Sequence, residues 1–183
     1  MTKIPRLDRT RACVLVVDVQ EKLVPVMWNW PPVEKYVKAM IQTAKELQLP
    51  LLATEQYPKG LGPTVPAIRE LLGHAPIVKL HFSCGADPES ARALEATGRK
   101  QVIVVGIETH VCVFQTVRDL VERGYEVFVC ADAVTSRFEE HRRTALQQMR
   151  DLGAIVTSAE TAIFDLLHTA GTPEFKRVSP LVR

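Results

Sequence analysis

Gln101-Val102-Ile103-Val104-Val105-Gly106-Ile107-Glu108-Thr109-His110-Val111-Cys112 is the stretch that decides the fold. Its first half is an apolar run of strand length that ends on a glycine. Its second half leads into a helical pattern, Val113 to Arg123. A strand therefore runs through a turn into a helix that begins with a thiol. A helix N-terminus presents unpaired backbone N–H groups and a positive dipole end. A cysteine there is expected to ionise more readily, and the thiolate is the nucleophilic form. The other reading of Cys112 is a buried structural cysteine.

The same pattern recurs on both sides of this stretch. Strand-like runs fall at Ala12–Val17, Leu51–Thr54, Ile77–Leu80, Gln101–Val105, Glu126–Cys130 and Ala154–Thr157. They are rich in Val, Ile and Leu without clean alternation, as strands covered on both faces of a parallel sheet are. Helical patterns fall between and after them, at Val33–Leu47, Pro66–Leu72, Pro88–Ala96, His110–Arg123, Glu139–Leu152 and Ala159–Leu167. Asp87-Pro88 reads as an N-cap with proline at the first helical position, and Ser158 as a second N-cap. Alternating strands and helices predict an α/β fold, a three-layer α/β/α sandwich with right-handed crossovers. The chain has 183 residues and no repeat or low-complexity linker, so residues 1–183 read as one domain.

Chemistry-bearing residues collect at one edge of this sheet. Asp18 closes the first strand, with Gln20 just beyond it, and Lys79 closes the third. In open α/β sheets ligands bind at the carboxyl ends of the strands. An ordinary ion pair is the alternative reading of Asp18 and Lys79. Two longer segments leave the same edge: Pro25–Pro32, which carries Trp28 and Trp30, and Glu55–Pro63. The tryptophans suit either a pocket wall or a subunit contact.

Together these segments resemble the isochorismatase-like cysteine hydrolases. The resemblance rests on Asp18-Val19-Gln20, on Lys79 with Phe82-Ser83, on Gly106 to Cys112, and on Asp132-Ala133-Val134-Thr135-Ser136-Arg137. Four motifs in this order at family-like spacing span residues 10 to 168. The resemblance implies six parallel strands in the order 3-2-1-4-5-6, a Rossmann-like sheet. It implies a Cys112, Asp18 and Lys79 triad that passes through a covalent thioester. Asp18 would act as the base and Lys79 would favour the thiolate. The resemblance also implies a cis peptide between Ile107 and Glu108. The oxyanion hole would then be the backbone N–H groups of Glu108 and Cys112. Gln20, Tyr57, Phe82 and His110 are the expected substrate-binding residues. His110 is the rival base, but neighbours two apart do not share a helix face.

The expected substrate is a small amide, imide or ester-like metabolite. One alternative is a non-catalytic oligomeric binding protein on the same fold. Another is hydrolysis of a vinyl ether of the isochorismatase type, with Asp18 as acid. A nucleotide-binding oxidoreductase is excluded, because no Gly-x-Gly-x-x-Gly follows the first strand. Neither a cofactor nor a metal is expected. Thr54-Glu55-Gln56-Tyr57-Pro58 stands where related nicotinamidases carry an Asp-x-His metal motif.

A net charge of +2 with no basic run predicts no nucleic-acid partner. No apolar run is long enough to span a bilayer. Met1–Arg6 lacks the apolar core of a signal peptide, and the four cysteines are scattered, so a cytoplasmic setting is expected. Cys84 is expected in an exposed loop, and Cys112 is expected to have a lower thiol pKa than Cys13 or Cys130. A homo-oligomer is expected from the Trp28–Trp30 loop and the apolar C-terminal segment Phe175–Val182.

Overall fold

The Val/Ile/Leu runs form one six-stranded parallel sheet, seen here in a computed structural model that describes residues 4–183. Met1-Thr2-Lys3, part of the segment read above for a leader, lies outside the described residues. The strands are β1 (Ala12–Val17), β2 (Leu51–Gln56), β3 (Ile77–Lys79), β4 (Gln101–Ile107), β5 (Glu126–Thr135) and β6 (Ile155–Thr157). Their order is β3-β2-β1-β4-β5-β6, as expected. The helices are α1 (Trp30–Glu46), α2 (Pro58–Leu61), α3 (Pro66–Leu72), α4 (Pro88–Ala96), α5 (Phe114–Glu122), α6 (Glu139–Asp151), α7 (Ala159–Leu167) and α8 (Pro173–Val178).

β1 shows why the runs do not alternate in polarity. Ala12, Val14 and Val16 face one core, with α1, α3, α7 and α8. Cys13, Leu15 and Val17 face a second core, with α4, α5 and α6. Both faces of the strand are dry, so both sets of positions are apolar. Asp87 and Ser158 cap α4 and α7 as expected, accepting from Ser90 N and Thr161 N.

Several boundaries differ from expectation. β4 continues through Gly106 to Ile107, and β5 continues past Cys130 to Thr135. A register shift between Val104 and Gly106 lets Gly106 pair with Val134 and Ile107 with Thr135. The expected helix from His110 begins instead as a five-residue π-helical turn, Thr109–Val113, before α5. The C-terminal segment is not an exposed apolar tail. α8 packs on α1, and Val178 and Val182 are buried in the first core. Trp30 also packs against that core, and its indole donates to Glu34. Trp28, by contrast, stays partly exposed, so the apolar surface left for a subunit contact in these two segments is mainly that ring.

Gly106 is the tightest point of the fold. Its φ is +117°, and a Cβ there would overlap the carbonyl oxygen of Val17 on β1. Only glycine combines that backbone with so close an approach of the two strands. Gly106→Ala should therefore cost about 3 kcal/mol or more. Gly98→Ala should cost about 1 kcal/mol, since Gly98 also has a positive φ but open space around it. Urea midpoints of the two variants check this ordering.

Candidate active site

β1 and β4 are neighbours at the point where the strand order reverses, so Asp18 and the Cys112 turn sit side by side. Lys79 ends β3, two strands from β1, and its long side chain reaches back across β2. Lys79 Nζ donates to Asp18 Oδ2 at 2.7 Å. The side chains of both residues are fully shielded from solvent. The ammonium is also 2.8 Å from Gln56 Oε1, 3.0 Å from the Phe82 carbonyl and 3.2 Å from that of His81. On the other side, Thr54 donates its hydroxyl to Asp18 Oδ1 at 2.7 Å. The Cys112 thiol lies beside the same carboxylate, near enough that the Asp18 charge acts on it. The triad residues named from the sequence thus come together around Asp18.

The electrostatics correct one expectation. Burial, and then the Asp18 charge, push the Cys112 thiol well above the ordinary cysteine range. Cys130 is likewise raised, and Cys13 is pushed up to about 12, mainly by burial. Cys112 is therefore no readier to ionise on its own than they are. The helix terminus does not overcome an adjacent carboxylate. Exposure still separates the thiols: Cys112 is 6% exposed, Cys13 1%, and Cys84 and Cys130 are closed off entirely. Cys84 is thus not the exposed loop cysteine expected, and burial pushes its thiol up to about 11. At Lys79 burial opposes the charge, but the Asp18 carboxylate and the nearby thiols outweigh it, so the ammonium is held above the usual lysine range.

The expected substrate-binding residues divide. Tyr57 and Phe82 are half-exposed at the rim. Gln20 is fully buried, and its amide is occupied by backbone. It donates to the carbonyls of Gln56 and Gly62 and accepts from the Gln56 N–H, so it ties two loops together and has no free group for a substrate. His110 does not face the thiol. Its Nδ1 lies 3.0 Å from Ser136 Oγ and its ring lies against His141, in a cleft of about 450 Å³ beside α6. Desolvation lowers its pKa, leaving it neutral and turned to the far side of the turn. Trp28 sits near the same cleft, its backbone bonded to Thr135 and Ser136 and its ring facing Arg142.

The segment Asp132–Arg137 is a brace for the Cys112 turn. Asp132 accepts from Ala159 N, and Arg137 donates from N and Nε to the Glu108 carboxylate. The Ile107–Glu108 peptide is cis. Among the described residues, no three His, Cys, Asp or Glu side chains converge as metal ligands would. Thr54 and Gln56 were not singled out from the sequence, and Cys84 was read there only as a loop thiol. Thr54 and Gln56 had a signal, two polar residues at period-two spacing ending an apolar strand.

Removing Lys79 leaves Asp18 buried without its counter-charge. Lys79→Met should cost about 3 kcal/mol near neutral pH. Because the folded ammonium titrates above its ordinary 10.5, its contribution is complete below that pH and is lost as the pH rises through the folded value. The stability gap between wild type and variant should therefore narrow above pH 10.5. Urea unfolding at neutral and alkaline pH measures both quantities.

Comparison with known proteins converges on one family. The isochorismatase domain profile matches residues 12–161. The secreted isochorismatase effector Isc1 of Phytophthora sojae is 41% identical over 187 residues, covering 99% of this chain and 89% of its own. The MAR1 ribonuclease structure from Caenorhabditis elegans superposes with a TM-score of 0.91 at 40% identity, covering 97% and 92% of the two chains. The YcaC gene product of Escherichia coli, an octameric hydrolase of unknown specificity, superposes with a TM-score of 0.92 at 27% identity, covering 99% and 92%. With its fold and this likeness over nearly its whole length, the chain belongs to the isochorismatase family.

Proposed function

We propose that this protein is a cysteine hydrolase of a small amide, imide or ester-like metabolite. One observation carries the reading. A fully buried carboxylate, fixed by Lys79 and Thr54, lies beside the Cys112 thiol. A carboxylate has about four lone-pair sites, so it can hold both donors and still accept a proton. The raised thiol pKa suits this arrangement. The resting thiol stays protonated, and the base stands ready to take that proton as attack begins.

In the proposed reaction Asp18 accepts the Cys112 proton while the sulfur attacks the substrate carbonyl carbon. The carbonyl π electrons move to oxygen, which the backbone N–H groups of Glu108 and Cys112 receive. The C–N bond breaks, Asp18 returns the proton to the leaving nitrogen, and a thioester remains on Cys112. Water then gives a proton to Asp18 and attacks the thioester. The carboxylic acid departs and the thiol regains its proton. Lys79 stays charged throughout and keeps the carboxylate ionised between the steps. Tyr57 and Phe82 form the rim that meets the substrate.

The protein acts in this reading as a homo-oligomer, supported by the octameric YcaC relative. Exposed Tyr57, Leu80 and Phe82 near the Lys79 end of the site are apolar surface that a subunit contact would cover. Four free, buried cysteines suit a reducing cytoplasm. Light scattering should give a multiple of 20.4 kDa; the mass of one chain would contradict the assembly.

A panel of small amides, ureides and esters, with single-stranded RNA as a further arm, tests the activity by release of ammonia or acid. At least one small amide or ester should turn over, and RNA should stay intact. Cys112→Ala and Asp18→Asn should each abolish turnover without unfolding the protein. Full turnover by Cys112→Ala would instead support an acid mechanism through Asp18, and RNA cleavage alone would refute the small-molecule reading.

A further inference from the structure

Thr54, which binds the catalytic carboxylate in the reading above, is itself backed by a second side chain that the reaction does not use, Cys84. Thr54, near the end of β2, is 2% exposed, and Cys84, in the loop after β3, is completely buried. Thr54 Oγ1 lies 2.7 Å from Asp18 Oδ1 and 3.7 Å from Cys84 Sγ. The direction of the protons follows from valence. An ionised carboxylate only accepts, so the single Thr54 proton points at Asp18. Thr54 then has only lone pairs left for Cys84, so the thiol must be the donor. Cys84 is held in this place by its backbone N–H, which donates to Thr116 Oγ1 at 2.9 Å.

We propose that Thr54, backed by the Cys84 thiol, is a positioning residue that fixes the rotation and the ionised state of Asp18. Lys79 binds Oδ2 and Thr54 binds Oδ1, so the carboxylate is held at both oxygens and cannot turn away from Cys112. A donor chain polarises along its length, which strengthens the last hydrogen bond in a buried setting. Around Asp18 the facing titratable groups are Lys79 from β3, Cys84 from the loop that follows and Cys112 from the turn before α5. Thr54 is the member of that shell that does not ionise, and it stabilises the charged form without adding charge. The proposal rests on Asp18 acting as the base for Cys112.

The test is the pH profile of Cys112 alkylation by iodoacetamide, located by peptide mapping, in wild type and four variants. Loss of a donor to a carboxylate disfavours its ionised form, so the acid limb of the alkylation profile should move to higher pH. In Thr54→Val the midpoint of the acid limb should move up by about one pH unit, a tenfold change in the proton equilibrium. Thr54→Ser, which keeps the hydroxyl, should return it to the wild-type position. Cys84→Ala should move the midpoint in the same direction by less, and Cys84→Ser should restore it. The Cys84 pair keeps the test open if Thr54→Val does not fold. Wild-type profiles in Thr54→Val and Cys84→Ala would overturn the positioning role while leaving Cys112 as the nucleophile. Wild-type protein in which Cys112 resists alkylation at every pH would overturn the nucleophile and the positioning role together.

Discussion

A carboxylate and an ammonium placed out of reach of water must be surrounded by other hydrogen-bonding atoms, or their desolvation outweighs their attraction. Asp18 and Lys79 meet that requirement atom by atom. The ammonium has Asp18, Gln56 and two carbonyls around it, and the carboxylate has Lys79 on one oxygen and Thr54 on the other. Much of the carboxyl edge is arranged to supply those atoms. The chain after β3 turns so that the carbonyls of His81 and Phe82 face Nζ. Gln56 is fixed in turn by Gln20, which reaches it from the segment after β1. The buried pair therefore organises the loops as well as the chemistry.

The second constraint is the approach of β4 to β1. The chain must pass close to Val17 at Gly106 and then deliver Cys112 to the carboxylate. The shift in register after Val104 and the π-helical turn at Thr109–Val113 make that delivery. Glu108, braced by Arg137 from the end of β5, anchors the start of the turn. Residues of the Asp132–Arg137 segment thus serve the site without entering it.

Strand identity was readable in the sequence because both faces of each strand are dry, which leaves long Val/Ile/Leu runs. Strand ends were harder. Partly buried Asp132 interrupts the apolar pattern in β5, although the strand goes on to Thr135. α8 was missed even though Thr172-Pro173 carries a capping signal, because its apolar residues looked like surface. Asp18, Lys79 and Cys112 stood out as polar groups closing apolar runs or opening a helix. Gln20 stood out equally, yet its side chain is consumed by backbone partners that no local pattern reveals. The thiol environment was not readable either. It depends on the distance to Asp18 and on burial, both products of the tertiary fold.

The central claim is that the carbon chain of the substrate passes through a bond to the Cys112 sulfur. Intact-protein mass spectrometry of acid-quenched turnover, followed by peptide mapping, measures that directly. A transient mass increase equal to the acyl part of the substrate, located on Cys112, is the predicted result. Sustained turnover with Cys112 unmodified at every quench time, and with Cys112→Ala equally active, would contradict the account.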